Sequence, residues 1–274
     1  MNFVPWPPPP DHPLYSAHLK HERAAELLGE VRREVETYVA SQPDHFVGDV
    51  DPATGEHRAY RVIHNEPNAH IALLVGDCIS NMRAALDHAV FGLTVQYADH
   101  DLSPDEEQQV SYPVCSTVDC WRRATTGALR FLPPDVQSAI DAQQPYHAPA
   151  GLARANNPLR VLHQLWNADK HRRLHLVGAA VTMHGVGVPE DATGRHRFTA
   201  PLTPGGSLVS RLPADLQPIE ESDFLSRVEV QFRPTRATPT IVQGKKVEAV
   251  LESLIRDVGW RLSVLATQPE VPDS

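Results

Sequence analysis

The sequence predicts an α+β protein: a helical bundle of three or more long helices, with a β-hairpin and an inserted small antiparallel β element. Three observations predict it. In several long stretches the apolar residues recur every three or four positions, the period of a helix with one buried face. Residues 174–234 instead hold short β-branched runs parted by Gly and Pro turns. The helical period then returns. Residues 14–267 are therefore read as one discontinuous domain, with the bundle at 14–173 and 244–267 and the β insertion at 174–234.

The first 13 residues carry six prolines, Pro7 to Pro10 in a row, and read as a solvated polyproline arm. From Leu14 to about Ala40, Leu27, Val31, Val35 and Tyr38 mark one helix face, and Pro43 ends the run. Two β-like runs follow, around Asp51-Pro52-Ala53-Thr54-Gly55, and predict a hairpin over His45 to His64. The longest helix is expected from Pro67 to Tyr97. Its stripe is Ile71, Leu74 or Val75, Cys78, Ile79, Met82, Leu86, Val90 and Leu93, and Pro67 suits its first turn. Residues 99–133 show no clear period. A small helix is expected from Pro134 to about Ala142. Another runs from Pro158 to about Arg172, with Leu159, Leu162, Leu165 and Trp166 inward. Four short strands fill the insertion, and a last helix runs from Lys245 to Ala266 before a loose tail at 268–274.

Composition bounds the function. The 274 residues carry a net charge of -9 with 41% hydrophobic and 22% charged residues, which excludes fibrous and wholly disordered classes and argues against a non-specific coat on nucleic acid. No apolar run reaches the roughly 18 residues of a membrane span. The N-terminal residues lack the basic start and apolar stretch of a secretory signal, so a cytoplasmic protein away from membranes is expected. The three cysteines, Cys78, Cys115 and Cys120, contain no C-x-x-C pair, and neither a disulfide framework nor a cysteine-rich zinc site is expected. Phosphate-loop, dinucleotide and nucleophile-elbow signatures do not occur.

Two places carry candidate chemistry. Asn81-Met82-Arg83-Ala84-Ala85-Leu86-Asp87-His88 sets polar groups into the apolar central helix. Arg83 and Asp87, four apart, are placed to pair. Asp77, Asn81 and His88 share a stripe within about 40°, whereas Arg83 and His88 lie about 140° apart around the axis. The second place is Asn167-Ala168-Asp169-Lys170-His171-Arg172-Arg173. From Arg154 to His175 there are five cations (Arg154, Arg160, Lys170, Arg172 and Arg173) against one acid, with His163, His171 and His175 among them. This is the strongest anion-binding stretch, at a helix end that itself favours cations.

Arg83-Ala84-Ala85-Leu86-Asp87-His88 resembles the R-x4-H form of the motif of HEPN-type domains, helical bundles found in many prokaryotic toxin and defence ribonucleases. The strings N-M-R-A-A-L-D-H and D-K-H-R also resemble those of a group of uncharacterised bacterial proteins. The resemblance implies a metal-independent endoribonuclease in which a ribose 2′-OH attacks the adjacent phosphorus. His88 would move the proton and Arg83 would neutralise the phosphorane. Asp87 would hold Arg83, and Asn81 would bind the phosphate or orient His88. Lys170, His171, Arg172, Arg173 and Arg160 would bind flanking RNA. It further implies a homodimer, which would bring Arg83 and His88 of two chains together, no cofactor, and room for an antitoxin or other protein partner.

Two other readings stand beside it. One is a non-catalytic interaction module, in which Arg83 and His88 are buried in their own chain. The other is a metal enzyme of the bundle type, drawing on His18, His21, Glu22, His64, His70, Asp77 and His88.

Overall fold

The structure is a computed structural model and describes residues 7–41, 46–50, 53, 57–61, 66–171, 176–184, 198–201, 207–212, 224–236 and 238–267. Helix dominates. The described elements are α1 (Tyr15–Ala40), β1 (Phe46–Val50), β2 (His57–Arg61), α2 (Ala69–Tyr97), α3 (Pro104–Gln109), α4 (Val118–Thr126), α5 (Pro134–Asp141), α6 (Leu152–Ala155), α7 (Pro158–His171), β3 (Leu176–His184), β4 (Phe198–Pro201), β5 (Ser207–Leu212), β6 (Phe224–Phe232) and α8 (Val247–Ala266). The chain groups into two units, each discontinuous in sequence: residues 1–30, 73–173 and 248–274, and residues 31–72 and 174–247. The second therefore takes in the 46–61 strands together with the insertion.

In the first unit α1 and α2 run antiparallel, because their contacts pair rising with falling numbers: Pro13 with Gly92, Ser16 with His88, Ala24 with Cys78. The stripe expected on α2 is the buried one, from Leu74 and Val75 through Cys78, Ile79, Met82 and Leu86 to Val90 and Leu93. Cys78 is a core residue: its thiol donates to the Ala24 carbonyl at 3.3 Å, and burial pushes its pKa up to about 12. Helix α7 buries Leu159, Val161, Leu162 and Leu165, and Trp166 stays half-buried. Its first turn is capped by Asn157, whose side chain accepts from the Leu159 N–H at 3.0 Å. Helix α8 buries Leu251, Leu254, Val258, Leu262 and Leu265 and meets α1 where His21 donates from Nε2 to the Ile255 carbonyl at 2.9 Å.

The chain departs from the sequence reading in four places. Residues 7–13 are not a free arm. Pro8 and Leu14 are buried, the chain turns through His12, and a Cβ at Gly92 would stand 2.0 Å from the Pro13 carbonyl oxygen, so glycine alone permits that approach. Helix α2 starts at Ala69, after Pro67, because Asn68 caps it by accepting from the His70 N–H at 3.0 Å. The 99–133 stretch contains α3 and α4, started by Ser103 and Thr117, whose side chains accept from backbone N–H groups. Finally, Cys115 and Cys120 form a disulfide: the Thr117 cap folds the chain so that their Cα atoms lie 5.3 Å apart.

In the second unit β1 pairs antiparallel with β2, from Phe46 opposite Arg61 to Val50 opposite His57, and β2 pairs with β5. Of the turn expected at 51–55, only Ala53 is among the described residues. A second three-stranded sheet has the order β4-β3-β6, with Leu176 opposite Phe232 and His184 opposite Phe224. Residues 1–6 and the tail after Thr267 lie outside the described residues.

Candidate functional site

Helix α2 presents its polar residues in two directions. Arg83 is 7% exposed, and its Nη2 donates both to Asp87 Oδ1 at 2.7 Å and to the Tyr112 carbonyl at 2.6 Å. The same Asp87 oxygen accepts from the Tyr112 N–H at 2.9 Å. One ion pair on α2 thus holds both backbone polar groups of a residue in the segment before α4. Burial lowers the Arg83 pKa against the pull of Asp87, and burial raises that of Asp87 against Arg83 and the Tyr112 N–H. The guanidinium carbon sits 5.7 Å from the centre of the Trp166 ring on α7.

His88 faces the other way. Its Nδ1 shares a 2.6 Å hydrogen bond with the Ser16 hydroxyl on α1. Burial, and then the nearby Lys20 charge, lower its pKa, against Asp87. The expected 140° separation is the one the helix shows in its contacts: Arg83 goes to α7 and the 112 segment, His88 to α1. Within one chain the two do not converge. Asn81 is half-buried, and its side chain donates to the Asp77 carbonyl one turn back at 2.9 Å.

The cationic stretch divides. Lys170 is exposed, with Nζ 4.9 Å from the centre of the Trp166 ring, so it shares that indole with Arg83. Arg160 lies ten positions earlier on α7, about 15 Å along the axis, and donates to the Ser116 hydroxyl at 3.4 Å. Arg154 is spent on the Tyr146 and Ala148 carbonyls. Arg160 and Lys170 thus stand apart on α7 and do not form one cluster. His171 ends α7, and its side chain, like Arg172, Arg173 and His175, lies outside the described residues.

Sequence reasoning missed Gly76 and Tyr112, and placed Asp169 and His163 only within the cationic stretch, without a role. A Cβ at Gly76 would stand 2.6 Å from Asp169 Oδ1, which shows how closely α2 and α7 approach there. Burial and Asp77 raise the Asp169 pKa. Tyr112, 1% exposed, receives the α2 ion pair. His163 sits near Arg83 and beside Trp166, ring centres 6.0 Å apart, and its pKa is lowered by burial and by the Arg83 charge.

The metal reading loses its geometry. His18 approaches Glu22 at 4.0 Å, His21 meets the Ile255 carbonyl, His88 meets Ser16, and His64 lies outside the described residues. Among the described residues no three His, Cys, Asp or Glu side chains are grouped to hold a metal ion, and no helix is long and apolar enough to cross a membrane. Comparison with protein-family models, with curated proteins and with solved structures returns no match.

Proposed function

We propose that the chain is a HEPN-like helical module, bearing a β-hairpin at 45–64 and an inserted β element, that works by binding and not by cutting RNA. The observation that carries this reading is the enclosure of Arg83 in its own chain, 7% exposed and bonded to Asp87 and the Tyr112 carbonyl, which keeps it from sharing an RNA phosphodiester with its own His88 or with that of a second copy. An imidazole and a guanidinium that serve one phosphate must lie within hydrogen-bond reach of it. The partner in this reading is a second copy of the chain, docking on the face around His88. Leu19 on α1 and Phe91 and Val95 on α2 are 46%, 37% and 55% exposed there. Leu19 follows Ser16 by three positions, and Phe91 follows His88 by three, so they flank the Ser16–His88 bond.

Mixed RNA incubated in EDTA with wild type and with His88→Ala tests the reading. Intact RNA in both, with a dimer by light scattering that Phe91→Arg splits, is the expected result. Ends bearing 2′,3′-cyclic phosphate from wild type alone would overturn it.

A second reading, the endoribonuclease in a toxin or defence role, is favoured by one observation. Arg83 of the N-M-R-A-A-L-D-H string and Lys170 of the D-K-H-R string meet at one indole. The same experiment decides between the two.

A further inference from the structure

The fold uses only part of the Arg83 guanidinium. Nη2 serves Asp87 and the Tyr112 carbonyl, but Nε and Nη1, both sealed from solvent, have no hydrogen-bond partner. The buried Nδ1 of His163 has none either. A buried donor on a charged group loses its water without replacement, and stable folds retain few of them. Lys170, exposed to solvent, stands over the Trp166 ring that Arg83 also approaches. Asp169, its sequence neighbour, turns toward Gly76. Asp87 is engaged on the Nη2 side. Three nitrogen-bearing side chains from α2 and α7 thus gather at one indole with donor capacity left over.

We propose that this α2–α7 junction binds a free phosphate or a phosphate monoester, held by Nε and Nη1 of Arg83, by His163 and by Lys170 beside Trp166. The chemistry selects the ligand class in two ways. Arg83 Nε and Nη1, His163 and Lys170 offer more donors than the two oxygens of a carboxylate accept in one plane, whereas a terminal phosphate offers three or four oxygens in a tetrahedron. Depth supplies the second argument. Arg83 is 7% exposed, so a phosphodiester with chain on both sides is kept from it, whereas a phosphate at the end of a molecule needs only a local opening beside the Trp166 ring. The site is thus distinct from a groove for an RNA backbone and does not depend on whether the chain cuts RNA. Bound dianion also acts on His163. Burial and Arg83 hold that imidazole below its ordinary range, and a neighbouring negative charge raises it.

Inorganic phosphate titrated at constant ionic strength against chloride tests the site, followed by thermal unfolding and by tryptophan emission. Wild type is expected to gain stability with phosphate and to change its emission, and Trp166→Phe is expected to lose the emission change. Lys170→Met replaces an exposed side chain and His163→Ala a half-buried one whose Nδ1 holds no hydrogen bond, so both variants are expected to keep the fold, and each should weaken binding by about tenfold or more. Phosphoserine should compete, and dimethyl phosphate should not. No response up to about 10 mM phosphate, a concentration that fills even a millimolar site, overturns the proposal, as does unchanged affinity in both variants. Equal binding of dimethyl phosphate overturns the monoester class.

Discussion

Arg83 and Tyr112, 29 positions apart in sequence, are joined by a 2.6 Å hydrogen bond from Nη2 to the tyrosine carbonyl. The tyrosine N–H returns to Asp87, so the i,i+4 ion pair of α2 is closed by backbone. The far end of the same residue leads to a second ion pair. The Tyr112 hydroxyl donates to Gln143 Oε1 at 3.1 Å, the Gln143 carbonyl accepts from Arg261 at 2.8 Å, and Arg261 is paired with Asp257 on α8. Tyr112 is therefore the link through which α2, the Gln143 segment that follows α5, and α8 share one polar network.

That network makes Arg83 a stability residue first. Arg83→Ala strands the Tyr112 carbonyl and leaves Asp87 without its counter-charge. Asp87 is a third exposed and stays partly hydrated, so the main cost is the stranded buried carbonyl, about 2–3 kcal/mol, and urea unfolding should show a loss of that order. His88→Ala removes one bond on a half-buried side chain and should cost about 1 kcal/mol. Similar losses for the two variants would remove the distinction drawn between them.

Two glycines on α2 give a paired prediction. At Gly92 a new Cβ meets the Pro13 backbone at 2.0 Å, and backbone has nowhere to go without moving the 7–13 segment. At Gly76 it meets the end of the Asp169 side chain at 2.6 Å, which rotates away. Gly92→Ala should cost about 1–3 kcal/mol of stability and expose residues 7–13 to proteolysis. Gly76→Ala should cost less and spare that segment. The reverse order in thermal unfolding would contradict the packing described.

These relationships were legible in the sequence to different depths. The four long helices could be read because each buries a continuous stripe, and the Arg83–Asp87 pair could be read because helix geometry brings i and i+4 together. Helices α3 and α4 bury no residue and, at six and nine residues, are too short to build a long apolar stripe. The capping signature Ser103-Pro104-Asp105-Glu106 was nonetheless there to be found. Tyr112 could not be found, since it receives Arg83 through a carbonyl that every residue possesses. His163 was visible only as one more imidazole, because nothing in a linear pattern says which face of α7 meets α2.

The Cys115–Cys120 bridge bears on where the protein resides. A cytoplasmic chain keeps such pairs reduced, whereas an oxidising compartment preserves them. Protein alkylated at lysis and then denatured should show one reactive thiol, Cys78, and three after reduction. Closing so short a loop restrains the unfolded chain by about 2 kcal/mol on the loop-entropy relation, so reduction should lower the unfolding midpoint. Three thiols before reduction would place the working protein in its reduced form.

Titration should separate the ionisable groups by the sign of their contribution. Hydrogen bonds from the Ser103 backbone and hydroxyl, above all, hold the Glu106 carboxyl down to about 2. Its contribution to the α3 cap is present above the ordinary value of 4.5 and is lost as pH falls through about 2. His88 and His163 are held below 6.5, so the unfolded chain takes up their protons first, and the stability they contribute is lost as pH falls below 6.5. His100 behaves oppositely. The bond to Asp99, and then that to Glu106, raise it, so its contribution is complete below 6.5 and is lost as pH rises through the folded value. Proton NMR of the imidazole rings should order His88 and His163 below His100, and the Ser103 amide should titrate near 2. A Ser103 amide that moves near 4.5 would show that the cap does not hold Glu106.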